Sequence, residues 1–97
     1  MKTQTFFIKS LAADAQSLMT SAKSDELRAE AKKVFEAIRY SDPMSNVALS
    51  ELNTQIERQF NTFAEAVNAD DVELAKETSD ALVELIETRN HKCKALK

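Results

Sequence analysis

The sequence predicts an all-α protein, an antiparallel four-helix bundle whose last two helices form a long C-terminal hairpin. Three observations predict it. The 97 residues contain no glycine and a single proline, so the usual punctuation of strands and hairpin turns is missing. Strong helix formers (Ala, Leu, Glu, Lys, Gln and Arg) dominate the composition. Apolar residues recur at helical spacing along nearly the whole chain. The length makes one domain, residues 1–97, with a core that surface-to-volume scaling leaves marginal.

The first helix is expected over residues 4–21. Phe7, Ile8, Leu11, Ala12, Ala15, Leu18, Met19 and Ala22 share a broad apolar face, and Phe6 points away from it. Extending that phase would bring Asp25, Lys33 and Glu36 into the core, so a tight turn or sharp kink is expected near Lys23 and Ser24. Ser24 then caps a second helix, residues 25–40, with Asp25 and Glu26 in the first turn, where the helix dipole favours acids. Its stripe is narrow: Leu27, Ala31, Val34, Phe35 and Ile38.

Asp42 followed by Pro43 is a helix start signal, because proline at the first helical position gives up an N–H that would be unpaired anyway. The third helix is therefore expected over residues 43–67. Leu49, Leu52, Ile56, Phe60, Phe63 and Val67 stay within a stripe about 80° wide. The fourth, residues 71–95, repeats the pattern with Leu74, Thr78, Ala81, Leu82, Leu85 and Ile86, and Arg89, Cys93 and Leu96 continue the face. Between the two, Asn68 is the expected left-handed residue, and Asp70 to Glu73 has capping-box spacing. So short a connection folds the arms antiparallel, each about 25 residues and about 37 Å long.

Composition excludes several functions. The net charge of −3 argues against a non-specific polyanion binder. Residues 1–42 carry seven basic and six acidic side chains, +1, and residues 43–97 carry six and ten, −4. A single cysteine rules out an internal disulfide and fits a reducing compartment. No apolar run approaches the roughly 20 residues of a membrane span. Only three apolar residues stand together near the N-terminus, too few for a signal peptide, so a cytoplasmic location and no membrane partner are expected. Without glycine there is no glycine-rich phosphate loop, and no nucleophile motif is present. Neither enzymatic activity, catalytic residues nor a cofactor is expected.

Several groups of residues are candidate contacts. Met44 and Val47 lie about 120° or more from the main stripe of their helix and form a small second apolar patch. That patch either packs on the first two helices or meets another molecule. Glu73, Glu77, Asp80, Glu84 and Glu87 form an acidic stripe opposite the core face of the fourth helix. A solvated face explains it; a row of carboxylates facing a basic partner, centred on Glu77, Asp80 and Glu84, is the sharper reading. Arg89, His91, Lys92, Lys94 and Lys97 cluster at the C-terminus, where cations complement the helix dipole or make an anion-binding tail. His91 and Cys93, two apart on a helix, point away from each other and cannot share a metal, and one Cys with one His excludes a zinc site. Cys93 lies on the core side, as a small buried hydrophobe.

Residues 27–57 also allow a helix-turn-helix reading, with Ser45, Asn46, Ser50, Asn53 and Thr54 offered to base edges and Lys32, Lys33 and Arg39 to phosphates. Against it, the only basic residue of the second helix of that corner is Arg58, far from its N-terminal end.

The stretch from Ala37 through Arg39, Tyr40, Asp42 and Pro43 to Asn46, with the ending Arg89, Asn90, His91, Lys92, Cys93 and Lys94, resembles short uncharacterised helical proteins of low-GC Gram-positive bacteria and their mobile elements. The resemblance covers about a quarter of the chain and implies a bacterial, accessory, cytoplasmic protein. The function expected is a non-enzymatic helical protein–protein interaction module that associates with itself, as a homodimer if two short helices leave part of the long hairpin uncovered. The alternatives are a DNA-binding regulator using the 27–57 corner, or an acidic decoy of a nucleic-acid-binding protein.

Overall fold

The computed structural model describes residues 6–41 and 47–96. Among them are four α-helices, α1 Phe6–Ser21, α2 Asp25–Arg39, α3 Ser50–Asn68 and α4 Val72–Leu96, with a 3-10 turn at Val47–Leu49 and no strand. Their packing is that of a bundle. α1 lies on α2, α3 on α4, and α2 on α4, while α1 touches α3 more lightly. The particle measures 39 × 22 × 18 Å. Its long dimension matches the 25 residues of α4, which at 1.5 Å each make a rod of about 37 Å.

The first two helices follow the sequence closely. Ile8, Leu11, Ala15, Leu18 and Ala22 are buried, with Phe7, Ala12 and Met19 packed at their margin. The chain breaks after Ser21, and the Ser24 side chain accepts from the Leu27 amide at 3.2 Å, which satisfies one of the unpaired donors at the start of α2. Leu27, Ala31, Val34 and Ile38 are buried and Phe35 is half-buried.

The third helix differs at its start. Residues 47–49 form a 3-10 turn, and the α-helix begins at Ser50. The cap expected at Asp42 and Pro43 lies outside the described residues, as does Met44. From Leu49 onward the expected stripe is the buried one: Leu49, Ile56, Phe60, Phe63 and Val67 are in the interior, with Leu52 half-buried. The Phe60 and Phe63 rings meet at 6.3 Å between centroids, tilted by 51°, within the favourable range for aromatic pairs.

The corner between α3 and α4 is shifted by two residues from the expected one. Asn68 still belongs to α3, and Asp70 takes the left-handed conformation, with φ 61°. The Asp71 amide donates to the Ala66 carbonyl at 2.8 Å and the Asp70 amide to that of Val67 at 3.1 Å. This is the paired closure of a Schellman motif, which places the left-handed residue just past the helix cap. The expected capping box from Asp70 to Glu73 gives way for the same reason: Asp71 becomes the cap, accepting from the Leu74 amide at 3.2 Å.

The partners across the helices give their directions. α2 meets α4 through Glu26 with Lys76, Glu30 with Ser79, Lys33 with Asp80 and Ser41 with Asn90. Both numbers rise together, so α2 and α4 run the same way. Between α3 and α4, in contrast, Asn53 reaches Arg89 while Ala66 meets Asp71, so the numbers run in opposite senses.

The left-handed Asp70 gives a direct test. Glycine adopts this conformation without the steric cost that a Cβ imposes. Asp70→Gly is expected to stabilise the protein by about 0.5–1 kcal/mol, read as a higher urea midpoint at unchanged slope. A lower midpoint would mean that the Asp70 side chain stabilises the corner by more than its backbone strains it.

Candidate functional site

The candidate surfaces lie along α4, whose buried face is broader and more polar than its sequence pattern. Ala75, Thr78, Ser79, Leu82, Ile86, Arg89 and Cys93 are buried, whereas Leu74 is 37% exposed and Ala81 and Leu85 are half-buried. The helix is covered by α3 on one flank and by α2 on the other, so its interior face lies between the two contacts. Thr78 tolerates burial by returning its hydroxyl to the carbonyls of Leu74 and Ala75 at 2.8 and 3.3 Å. Ser79 donates to Glu30 Oε1 of α2 at 2.5 Å and lies 3.0 Å from the Lys76 carbonyl.

Arg89 is completely buried, at 0% exposure. Its Nε donates to Asn53 Oδ1 at 2.9 Å, and its Nη1 donates to Ser41 Oγ at 3.3 Å and approaches Cys93 Sγ at 3.8 Å. The Ser41 hydroxyl passes the chain on, donating to Asn90 Oδ1 at 2.6 Å. The end of α2, the first turns of α3 and the last third of α4 are thereby joined by one hydrogen-bonded network. Arg89 is thus removed from the basic cluster expected at the C-terminus. His91, Lys92 and Lys94 are exposed there, and Lys97 lies outside the described residues. Cys93 is buried, on the opposite side of the helix from His91.

A second network lines the seam between α2 and α4. Lys33 Nζ lies 3.0 Å from Glu30 Oε1 and 2.8 Å from Asp80 Oδ1. The hydrogen bond that Lys33 donates to Asp80 raises its ammonium pKa above the ordinary 10.5; burial opposes the rise and Glu30 adds to it. Lys76 and Glu26 approach to 3.6 Å one turn below.

From the Lys33–Asp80 pair onward the seam opens into a shallow groove. One stretch, about 250 Å³, lies among Lys33, Asp80, Val83, Glu84 and Glu87. The next, about 320 Å³, shares Val83 and Glu87 and continues past Glu36, Ala37 and Ile86 to Tyr40 and Asn90. Its floor is apolar and its walls carry carboxylates on both sides. Tyr40 stands at its end, 75% exposed, with the Arg39 guanidinium 5.6 Å from the ring centroid. On the other flank of α4 a groove of about 470 Å³ runs between α3 and α4, lined by Gln55, Arg58 and Gln59 opposite Glu84, Leu85 and Thr88.

The expected contact residues divide accordingly. Val47 is not packed on the first two helices; it is 89% exposed on the 3-10 turn. Glu77, Asp80 and Glu84 are exposed, as are Glu73 and Glu87, but Asp80 is engaged by Lys33. Of the side chains expected to face DNA bases, Asn53 accepts from Arg89, Thr54 returns its hydroxyl to the Ser50 carbonyl at 3.0 Å, and Ser45 and Asn46 lie outside the described residues. Sequence reasoning missed Ser41 and Ser79 as buried groups and Asn53 as the half-buried partner of Arg89. Arg89 itself carried a signal, because it is in phase with Leu82, Ile86 and Cys93.

No family model matches the chain, and no curated protein or solved structure is significantly similar to it. Among the described residues, no helix is long and apolar enough to cross a membrane, and no group of three or more His, Cys, Asp or Glu is placed to hold a metal ion.

Two stability tests follow from the networks. Arg89→Ala is expected to cost roughly 3 kcal/mol or more, because it leaves a cavity and buried polar groups without their donor. Arg89→Lys is expected to recover only part of that loss, since one ammonium does not reproduce a planar fork. A parent-like urea midpoint for Arg89→Lys would mean that charge alone suffices. For Lys33 the raised value means that its contribution is complete below pH 10.5 and is lost as pH rises through the higher folded-state value. Lys33→Met should be less stable than the parent near neutral pH, by about 0.5 kcal/mol given the partial exposure of the pair, and that gap should close in alkaline urea titrations. A gap that persists unchanged would place the effect in packing rather than charge.

Proposed function

We propose that this protein is a non-enzymatic helical interaction module, a bundle of two antiparallel hairpins laid side by side, that binds another protein through its α2–α4 face. One observation carries the reading. The interior is closed by the chain's own four helices, while the α2–α4 seam keeps an apolar floor open between polar walls and ends on the exposed ring of Tyr40. Tyrosine is enriched at interface anchors because it combines a large apolar ring with a polar tip.

Self-association belongs to the same reading, and a different observation favours it. Val47 stands 89% exposed on the turn before α3, where a second copy would cover it. The regulator reading has less to support it, since Asn53 is taken up by Arg89 and Lys33 is paired with Asp80 at the surface.

A photo-reactive residue at Val83, at Val47 or at the exposed Gln16 of α1 separates these possibilities in cells. The reading expects a discrete adduct with one other protein from Val83 and none from Gln16; self-association expects a dimer-sized adduct from Val47. Equal, diffuse labelling from Val83 and Gln16 would sink the module reading for this face.

A further inference from the structure

We infer that the occupant of the α2–α4 groove is a cationic amphipathic helix of a partner protein. The inference rests on the module reading above and names the chemistry of its partner. The two stretches of the groove share Val83 and Glu87 and form one channel from Lys33 to Tyr40. Seven residues of helix separate those ends, about 10 Å, or two turns. That length accepts apolar side chains spaced one and two turns apart on a docking helix.

The floor offers the half-buried Ala37 and Val83 above the buried Ile86, and Tyr40 closes one end. The walls decide the charge. Glu36 stands on the α2 side, and Glu84 and Glu87 stand on the α4 side. Asp80 adds a fourth carboxylate, whose charge Lys33 offsets at 2.8 Å. A helix lying in this channel meets Glu84 and Glu87 along α4 but Glu36 alone on α2, where Lys33 and Arg39 stand on either side of it, so its Lys or Arg side chains belong on the flank that faces α4. A neutral or acidic helix would bury the same apolar area but leave the walls unpaired or repelled. Occupation by a second copy requires the same acidic walls to meet a cationic face of this chain; its exposed helical faces carry mixed charge, and its net charge is −3.

The test uses the full chain and a labelled synthetic peptide of Leu and Lys, about 15 residues, patterned as an amphipathic helix. Two control peptides carry the same composition with scrambled spacing, or Gln in place of Lys. Fluorescence anisotropy should give tightest binding for the patterned cationic peptide, weakening with salt. Binding should fall about tenfold or more in the triple variant Glu36→Gln, Glu84→Gln and Glu87→Gln, and also in Tyr40→Ala, whose ring is outside the core. Equal binding of either control peptide, or parent-like binding by the triple variant, overturns the inference. If Val83 still yields a discrete adduct in cells under that outcome, the module reading stands and only the cationic helix falls. If Val83 yields no such adduct either, both fall. Concentration-dependent dimerisation of the parent, abolished by the triple variant, identifies a second copy as the occupant and overturns the cationic partner.

Discussion

Burial of the Arg89 guanidinium is the constraint on which the rest of the arrangement depends. Moving such a cation out of water carries a penalty of several kcal/mol unless its donors are met, and here they are met from different helices. Nε needs Asn53 from α3, and Nη1 needs Ser41, one residue beyond the cap of α2. The end of α2 also supplies the negative pole of its helix dipole beside the cation. A slip of the first hairpin by one turn would carry Ser41 about 5.4 Å away and leave buried groups unpaired. The network therefore fixes the register of α2 against α4, a property that an apolar contact of equal area would specify less sharply.

That register has a consequence along the seam. With Ser41 held at Asn90, the turns below fall into place as Lys33 with Asp80, Glu30 with Ser79 and Glu26 with Lys76. The exposed pairs contribute little stability individually, since screening and side-chain entropy offset most of the attraction. Their importance is spatial. They close the seam at its lower end and leave it open above Lys33, where the facing positions are Glu36, Ala37 and Tyr40 on α2 and Val83, Glu84 and Glu87 on α4. An unbroken ladder of ion pairs would have filled the groove.

Much of the fold was legible because pattern and packing agree. α1 has one contact direction that dominates, and its stripe from Ile8 to Ala22 is the one buried. The Ser24 cap was legible because it is a local hydrogen bond. α4 was misread by a fraction of a turn because it is covered from two sides. Of its expected stripe Thr78, Leu82, Ile86, Arg89 and Cys93 are buried, whereas Leu74, Ala81, Leu85 and Leu96 lie further out and Ala75 and Ser79 are buried in their place. The polar residues on the buried face dilute the apolar signal, although each is paired. The left-handed residue was misplaced from Asn68 to Asp70 because residue preference pointed one way and the closure of the last helical turn another; the backbone geometry prevailed. The candidate surface was legible only in part. The acidic stripe was visible in the sequence, whereas the groove beside it needs Glu36 and Tyr40, which periodicity assigns to a different helix.

The acidic stripe and the groove have different meanings for binding. A row of carboxylates on an exposed helix attracts any cation weakly, and salt removes the attraction. Placed along an apolar channel, the same carboxylates discriminate, because a ligand must match shape and charge together to exclude water from the floor. Glu77 and Glu73 line neither groove, whereas Glu84 borders both the α2–α4 and the α3–α4 channels and Glu87 lines both stretches of the α2–α4 channel. The part of the stripe that the proposed partner would meet is therefore its C-terminal half, set by the same α2–α4 register that Arg89 enforces from within.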